Sequence, residues 1–248
     1  MKKEILKIKD LSVSVNGKRI LNGLDFSLNE GDIQVVMGPN GSGKSTFAEV
    51  LMGSFEYTVD SGEILLFKKD IKDLPSYKRA KMGLFLAFQH PIEVPGVNFG
   101  AFLHSAYKSI KNDDVSIFEF IIKLKREAKN LGIEESFISR NLNEGLSGGE
   151  KKRMEILQIA LLKPKVVILD EIDSGLDIDG IKFVSESINL LNSQGVSFII
   201  ITHQRKLLDS ININKVNLMH KGKIVKSSDE SLIKDIEKRG YRDILKYE

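Results

Sequence analysis

Apolar and polar residues alternate along the first part of the chain. Leu6, Ile8 and Leu11 carry the spacing of a strand with one buried face. Asn16-Gly17 predicts a hairpin turn, because both residues tolerate positive φ. Residues 5–37 therefore read as short strands and turns. The last of them, Ile33 to Met37, runs straight into a glycine-rich turn. Ser45 to Met52 predicts a helix that Gly53 stops.

From about Pro91 to Leu162 the period changes. Phe118, Ile121, Ile122, Leu124, Ala128 and Leu131 stand at helical spacing. Gly148 to Leu162 reads as another helix, stopped by Pro164. Val166 to Leu169 and Phe198 to Ile201 are unbroken apolar runs rich in β-branched residues. Such runs fit strands covered on both faces, as in parallel α/β sheets. The expectation is an α/β core over 1–90 and 163–225, split by a helical insertion over 91–162. A charged helical tail follows over 226–248. No internal repeat, low-complexity tract or long linker interrupts this plan.

Composition narrows the chemistry. The net charge of +3 predicts no strong binding to nucleic acid. The chain has no cysteine, which excludes disulfides, thiolate nucleophiles and cysteine-held metal or iron–sulfur sites on it. Glu4, Lys7, Lys9 and Asp10 interrupt any signal-like apolar core. No run of about 18 apolar residues exists, so no direct membrane insertion is expected. The expected location is the cytoplasm.

The glycine-rich turn carries the strongest chemical signal. Gly38, Pro39, Asn40, Gly41, Ser42, Gly43, Lys44 and Ser45 match the phosphate-binding loop, and Thr46 follows. The glycines let backbone N–H groups turn inward around a phosphate. Lys44 can reach the β- and γ-phosphates, the Ser45 hydroxyl can ligate Mg²⁺, and the helix N-terminus favours the anion. Asp170 and Glu171 end the first apolar run. A strand beside the loop would deliver both carboxylates to the end of the sheet where ligands bind. Asp170 is then placed to hold Mg²⁺, and Glu171 to orient or deprotonate the attacking water. Ser147, Gly148, Gly149 and Glu150 open the later helix. Ser147 and Glu150 have the spacing of a capping box, while a glycine-rich helix start is also an anion site.

In this set the chain resembles an ABC-type ATPase, over roughly residues 3–225. The resemblance implies a P-loop NTPase of ABC type. Its fold would be a RecA-like parallel-sheet core with an N-terminal antiparallel β-subdomain and an inserted α-helical subdomain. It identifies the signature as Leu146 to Glu150, the Q-loop glutamine as Gln89 and the D-loop as Ser174 to Asp177. His203 is the switch histidine, implied to contact the γ-phosphate. Gln89 is implied to meet Mg²⁺ or its water. Where many members stack adenine on an aromatic, this chain has Val15. Three stretches, Phe88 to Val97, Leu146 to Arg153 and Ile168 to Asp179, are similar to the SufC family, ATPase subunits of iron–sulfur cluster assembly. The tail around Gly240-Tyr241 is similar as well. His90, His104 and His220 read as structural or surface residues.

The resemblance also implies a mechanism. The signature would face the nucleotide of a second copy, giving a transient, ATP-dependent head-to-tail homodimer. Between 82 and 107 Glu93 is the single charged residue, although 29% of the chain is charged. That segment is expected to dock a SufB/SufD-like scaffold, with core packing as the other reading, and Ile92, Val94 and Val97 are its candidate contacts. A cytoplasmic subunit of a membrane transporter is the alternative function, and a non-hydrolytic regulatory module a third. Asp173 and Asp177 crowd Glu171. Lys151 or Lys152 is therefore expected to pair with this acidic cluster and turn Glu171 away.

Overall fold

The structure is a computed structural model and describes residues 2–202 and 204–245. Strands β1 (Glu4–Val15) and β2 (Lys18–Asn29) form an antiparallel hairpin. Asn16 and Gly17 both take positive φ, 49° and 75°, as a tight two-residue hairpin turn requires. Strand β3 (Ile33–Met37) follows, then helix α1 (Lys44–Met52). Gly53 stops α1 at φ 81°. The carbonyls of Val50 and Leu51 at that end both accept from the fully buried guanidinium of Arg79, at 2.7 and 2.9 Å. A cation there offsets the helix dipole and satisfies acceptors the helix leaves open.

Strands β4 (Thr58–Leu66) and β5 (Lys69–Asp70) complete a four-stranded sheet in the order β2-β1-β4-β5. Helix α2 (Ser76–Lys81) leads to β6 (Leu84–Ala87). A helical lobe comes next. It contains β7 (Val94–Asn98), α3 (Phe99–Lys111), α4 (Ile117–Asn130), a 3₁₀ turn over Glu135–Ser139 and β8 (Asn141–Leu142). Helix α5 (Gly148–Leu162) leads back to the main sheet through β9 (Val166–Asp170), α6 (Ile178–Ser193) and β10 (Ser197–Ile201). Helix α7 (Arg205–Leu208), β11 (Lys215–His220), β12 (Lys223–Ser228) and α8 (Ser231–Ile244) complete the order.

The main sheet runs β12-β11-β3-β10-β9-β6. The five strands from β11 to β6 are parallel and β12 is an antiparallel edge. Its central strands are buried along their whole length. Val36, Ile168, Ile199 and Ile201 face one core, shared with α1 and the antiparallel sheet. Val35, Leu169, Phe198 and Ile200 face another, shared with α6 and α8. Side chains alternate across a strand, so an unbroken apolar run is what two covered faces demand.

A third core lies within the helical lobe. On α4 its members are Phe120, Leu124 and Ala128, four residues apart. Phe118 and Ile122, which the helical spacing groups with the core, are instead 81% and 68% exposed. They form a second apolar stripe about half a turn away. The tail also differs from expectation. Residues 226–228 belong to β12, and the helix starts at Ser231. That helix is not merely a charged appendage, because Leu232, Ile233, Ile236 and Ile244 are buried in the core.

Candidate nucleotide site

Residues 38–43 link β3 to α1 and wrap the start of the helix. A Cβ on Gly38 would stand 2.2 Å from the Met219 carbonyl oxygen, so only glycine fits there. Gly41 and Gly43 take φ 77° and 105°, conformations that L side chains rarely adopt. Helix α1 has no side-chain cap and no acidic residue in its first turn, so its leading N–H groups are left for an anion. The Lys44 ammonium is buried and donates to the carbonyls of Gly38 (2.9 Å) and Pro39 (3.2 Å). Burial holds its pKa below the usual lysine value, against the pull of Glu171 and Asp170. Within the same loop, Ser42 Oγ is buried without a partner.

β9 brings the acids to this loop. Burial pushes the Asp170 carboxyl above the usual range. The Ser45 hydroxyl opposes that rise, while Glu171 and Glu49 reinforce it. Asp170 Oδ1 is buried with no hydrogen-bond partner. Glu171 takes φ 47°, a left-handed conformation that a non-glycine residue holds only when its surroundings impose it. Here the Glu171 N–H donates to the Ile201 carbonyl at 2.9 Å, and Gln89 Nε2 donates to Glu171 Oε2 at 2.6 Å. Asp173 is buried beside them and accepts from Thr202 Oγ1 at 2.5 Å. Lys44, Ser45, Gln89, Asp170 and Glu171 are thus gathered at one end of the parallel sheet. His203 lies outside the described residues.

The signature residues sit in the helical lobe, at the head of α5. Ser147 caps that helix: Glu150 N–H donates to Ser147 Oγ at 3.3 Å, and Ser147 N–H donates to Glu150 Oε2 at 2.7 Å. A Ser147→Ala variant should lose about 1 kcal/mol, read as a lower Tm or faster hydrogen exchange confined to the first turn of α5. Asp177 caps α6, accepting from Gly180 N–H at 2.8 Å. His104 has the structural role expected of it, with Nε2 2.9 Å from the Val115 carbonyl and its ring against Phe120.

The expected lysine pairing is corrected. Lys152 Nζ donates to Glu155 Oε2 at 2.9 Å and to the Phe88 carbonyl at 2.5 Å. Lys151 pairs with Glu93 at 2.7 Å. A carboxylate one turn along the same helix takes Lys152, and Gln89 is among the residues that engage Glu171. Sequence reasoning missed Glu155 altogether, although its place three residues after Lys152 was a readable signal. It also missed the packing of Tyr241 against the core of the main sheet. Nothing in the sequence pattern announces that contact.

The pattern that defines the ABC transporter family matches residues 21–174. The chain belongs to the ABC transporter ATPase family. It is an ABC ATPase, converting ATP and water to ADP and phosphate, with the P-loop NTPase fold of that type. A probable ATP-dependent transporter, ycf16, of Pyropia yezoensis is 46% identical over 245 residues, 97% of this chain and 98% of that one. A probable ABC transporter ATP-binding protein of Streptococcus pyogenes is 46% identical over 242 residues, covering 97% and 94%. Among solved structures, a nucleotide-free ATP-binding cassette from an ABC transporter superposes with TM-score 0.77 at 25% identity, covering 95% of each chain. A cassette in its ADP conformation gives 0.77 at 25%, covering 99% of each. A dimeric bacterial ABC transporter cassette gives 0.78 at 20%, covering 90% and 98%. ABC ATPases bind ATP with Mg²⁺. Among the described residues no cluster of three or more His, Cys, Asp or Glu could hold a metal. Among the same residues no helix is long and apolar enough to cross a membrane.

Proposed function

We propose that this ABC ATPase hydrolyses Mg-ATP at residues 38–46 to drive conformational change in a SufB/SufD-like scaffold during iron–sulfur cluster assembly. The observation that carries the site is the convergence of Lys44, Ser45, Gln89, Asp170 and Glu171 at one sheet end. Ser45, Gln89 and Asp170 offer hard oxygen donors, and the unpartnered buried Oδ1 of Asp170 fits a Mg²⁺ ligand. When bound, the ion neutralises charge on the phosphates. Lys44 exchanges the two loop carbonyls for phosphate oxygens. Glu171 orients the attacking water once Gln89 lets it go, and His203 meets the γ-phosphate.

The proposed division is a core over 1–90 and 163–225, extended to 228 by β12, a helical subdomain over 91–162, and a tail whose helix starts at Ser231. Gly148 and Gly149 have no crowding that requires glycine. Their bareness supports approach by the nucleotide of a second copy in a transient, ATP-dependent head-to-tail homodimer. Ser147 to Glu150 and Asp177 would act there.

The 82–107 segment is part core and part exposed apolar surface, which supports docking by the exposed part. Leu84, Leu86, Ala87, Phe99 and Leu103 are buried, while Phe88, Ile92, Val97 and Phe102 are exposed. Val94 leaves the candidate contact set, since it packs on the helical-lobe core. A groove of about 350 Å³ adjoins this surface, lined by Phe85, Phe102, Ala106, Ile110 and Leu162. Lys111 stands on it near Lys163 and Lys165, its pKa lowered first by burial and then by those charges. An apolar partner segment carrying carboxylates fits such a groove.

The relatives' names support a second reading, an ATP-binding subunit of a membrane transporter in the cytoplasm. Affinity purification from native lysate without detergent separates the two. A soluble, cysteine-bearing scaffold is the expected catch, since this chain has no thiolate for a cluster. Capture of membrane-embedded partners alone, and only in detergent, would replace the first reading with the second. An Ile92→Asp/Val97→Asp variant with unchanged Tm should capture neither. Its retention of the partner would remove the docking assignment.

A further inference from the structure

Strands β9 and β10 are parallel neighbours, so the loops that leave them lie side by side. Asp173 in the first loop is 1% exposed, and Thr202 in the second is fully buried. Thr202 Oγ1 donates to Asp173 Oδ2 at 2.5 Å and accepts from the Gln204 N–H at 2.9 Å. Gln204 Nε2 donates to the backbone carbonyl of Asp173 at 3.3 Å. Both chain neighbours of position 203 are therefore tied to Asp173. The other carboxylate oxygen, Oδ1, is buried with no hydrogen-bond partner. Asp173, Thr202 and Gln204 also wall a cavity of about 100 Å³, which Glu171 and Ser174 complete.

A buried carboxylate is costly unless it is hydrogen-bonded. An apolar pair of the same shape would join two loops at no greater cost. What the polar contact adds is direction. One hydroxyl, used as donor and acceptor at once, orients the Thr202 side chain and the Gln204 backbone together. Glu171 is joined to the same strand end, its N–H donating to the Ile201 carbonyl at 2.9 Å. We propose that Asp173 is a positioning residue for hydrolysis, clasping Thr202 and Gln204 so that position 203 is held in fixed relation to Glu171. The inference rests on the reading of Glu171 as the residue that orients water and of His203 as the contact to the γ-phosphate.

Thr202→Val keeps the shape of the side chain and removes the hydroxyl. In the full-length protein, steady-state ATPase assays should show kcat lowered about ten-fold or more, as for a misplaced reacting group. Mg-ADP should bind as in wild type, since it has no γ-phosphate for position 203 to meet. Thr202→Ser, which restores the hydroxyl, should return kcat to near the wild-type value. Thr202→Val also strips a buried carboxylate of its donor, so its Tm should fall. Asp173→Val/Thr202→Val removes the charge as well, and should regain Tm but not kcat. In a His203→Ala background, Thr202→Val should lower kcat no further. A kcat that returns with Tm in the double variant would make the pair a packing feature and overturn the clasp alone. Losses that multiply with His203→Ala would do the same. Wild-type turnover in Glu171→Gln or in His203→Ala would overturn the site reading, and this inference with it.

Discussion

Glu171→Gln should lower ATP turnover by about 10²- to 10⁴-fold, the range for removing a positioned general base, while ATP still binds. The amide is nearly isosteric and can still pair with Gln89, so the geometry around the β9 end survives. What goes is the capacity to take a proton from water. In the proposed reading the contacts that hold ATP lie elsewhere, in the loop backbone, Lys44, Ser45 and Asp170. Binding and hydrolysis should therefore separate cleanly, with Kd for Mg-ATP within about two-fold of wild type. If ATP closes two copies head to tail and hydrolysis reopens them, this variant should accumulate as a dimer with Mg-ATP and return to its resting state with Mg-ADP. Single-turnover rates and light scattering read the two halves of that statement. Wild-type turnover in Glu171→Gln would move the base to another residue. Slow turnover without a dimer would remove the trans role of Ser147 to Glu150.

The resting geometry gives this prediction a physical basis. Glu171 is held at φ 47° and bonded to Gln89, a conformation of the kind that costs about 1–3 kcal/mol. Gln89 follows Phe88, and Phe88 is bonded through both its N–H and its carbonyl to α5, the helix that begins with the signature. A movement of the helical lobe thus has a short route of hydrogen bonds to the Glu171 carboxylate.

Most of the frame was legible because local rules and global fold agree. β3 and α5 have the limits that the apolar runs and the capping spacing predict, since both are set within a few residues of chain. The hairpin at Asn16-Gly17 is legible for the same reason. What was not legible depends on partners far apart in sequence. Phe118 and Phe120 differ only in which side of α4 meets the lobe core, and that is decided by α3 and α5. Tyr241 packs on the core of the main sheet, far along the chain from the strands it meets. Lys152 is the exception, because its partner Glu155 stands three residues on along the same helix, and the two are buried together. The tail looked like a solvated helix by composition, yet four apolar residues among its charges anchor it to the core.

That Lys152–Glu155 pair carries the largest expected change in stability. Both side chains are buried, at 4% and 7% exposure. Each also holds Phe88, Glu155 Oε1 accepting its N–H at 3.2 Å and Lys152 donating to its carbonyl. Lys152→Met leaves a buried carboxylate without its counter-charge, which costs about 3–5 kcal/mol. Replacing both, as Lys152→Met/Glu155→Leu, should recover much of the loss, because the uncompensated charge is gone. Function should not recover with it, since Phe88 would still lack its anchors and Gln89 its position. The pH dependence follows from burial, which raises the Glu155 pKa, and from Lys152, which lowers it. Without Lys152 the folded-state value climbs further above the unfolded one. An acid whose folded pKa is raised binds its proton more tightly when folded, so stability falls as pH rises through the window between the two values. Lys152→Met should therefore lie closest to wild type near about pH 5 and furthest from it near about pH 7. Urea unfolding at both conditions measures this. A gap that is constant across them would mean that Glu155 does not titrate in this range, and that the loss comes from packing.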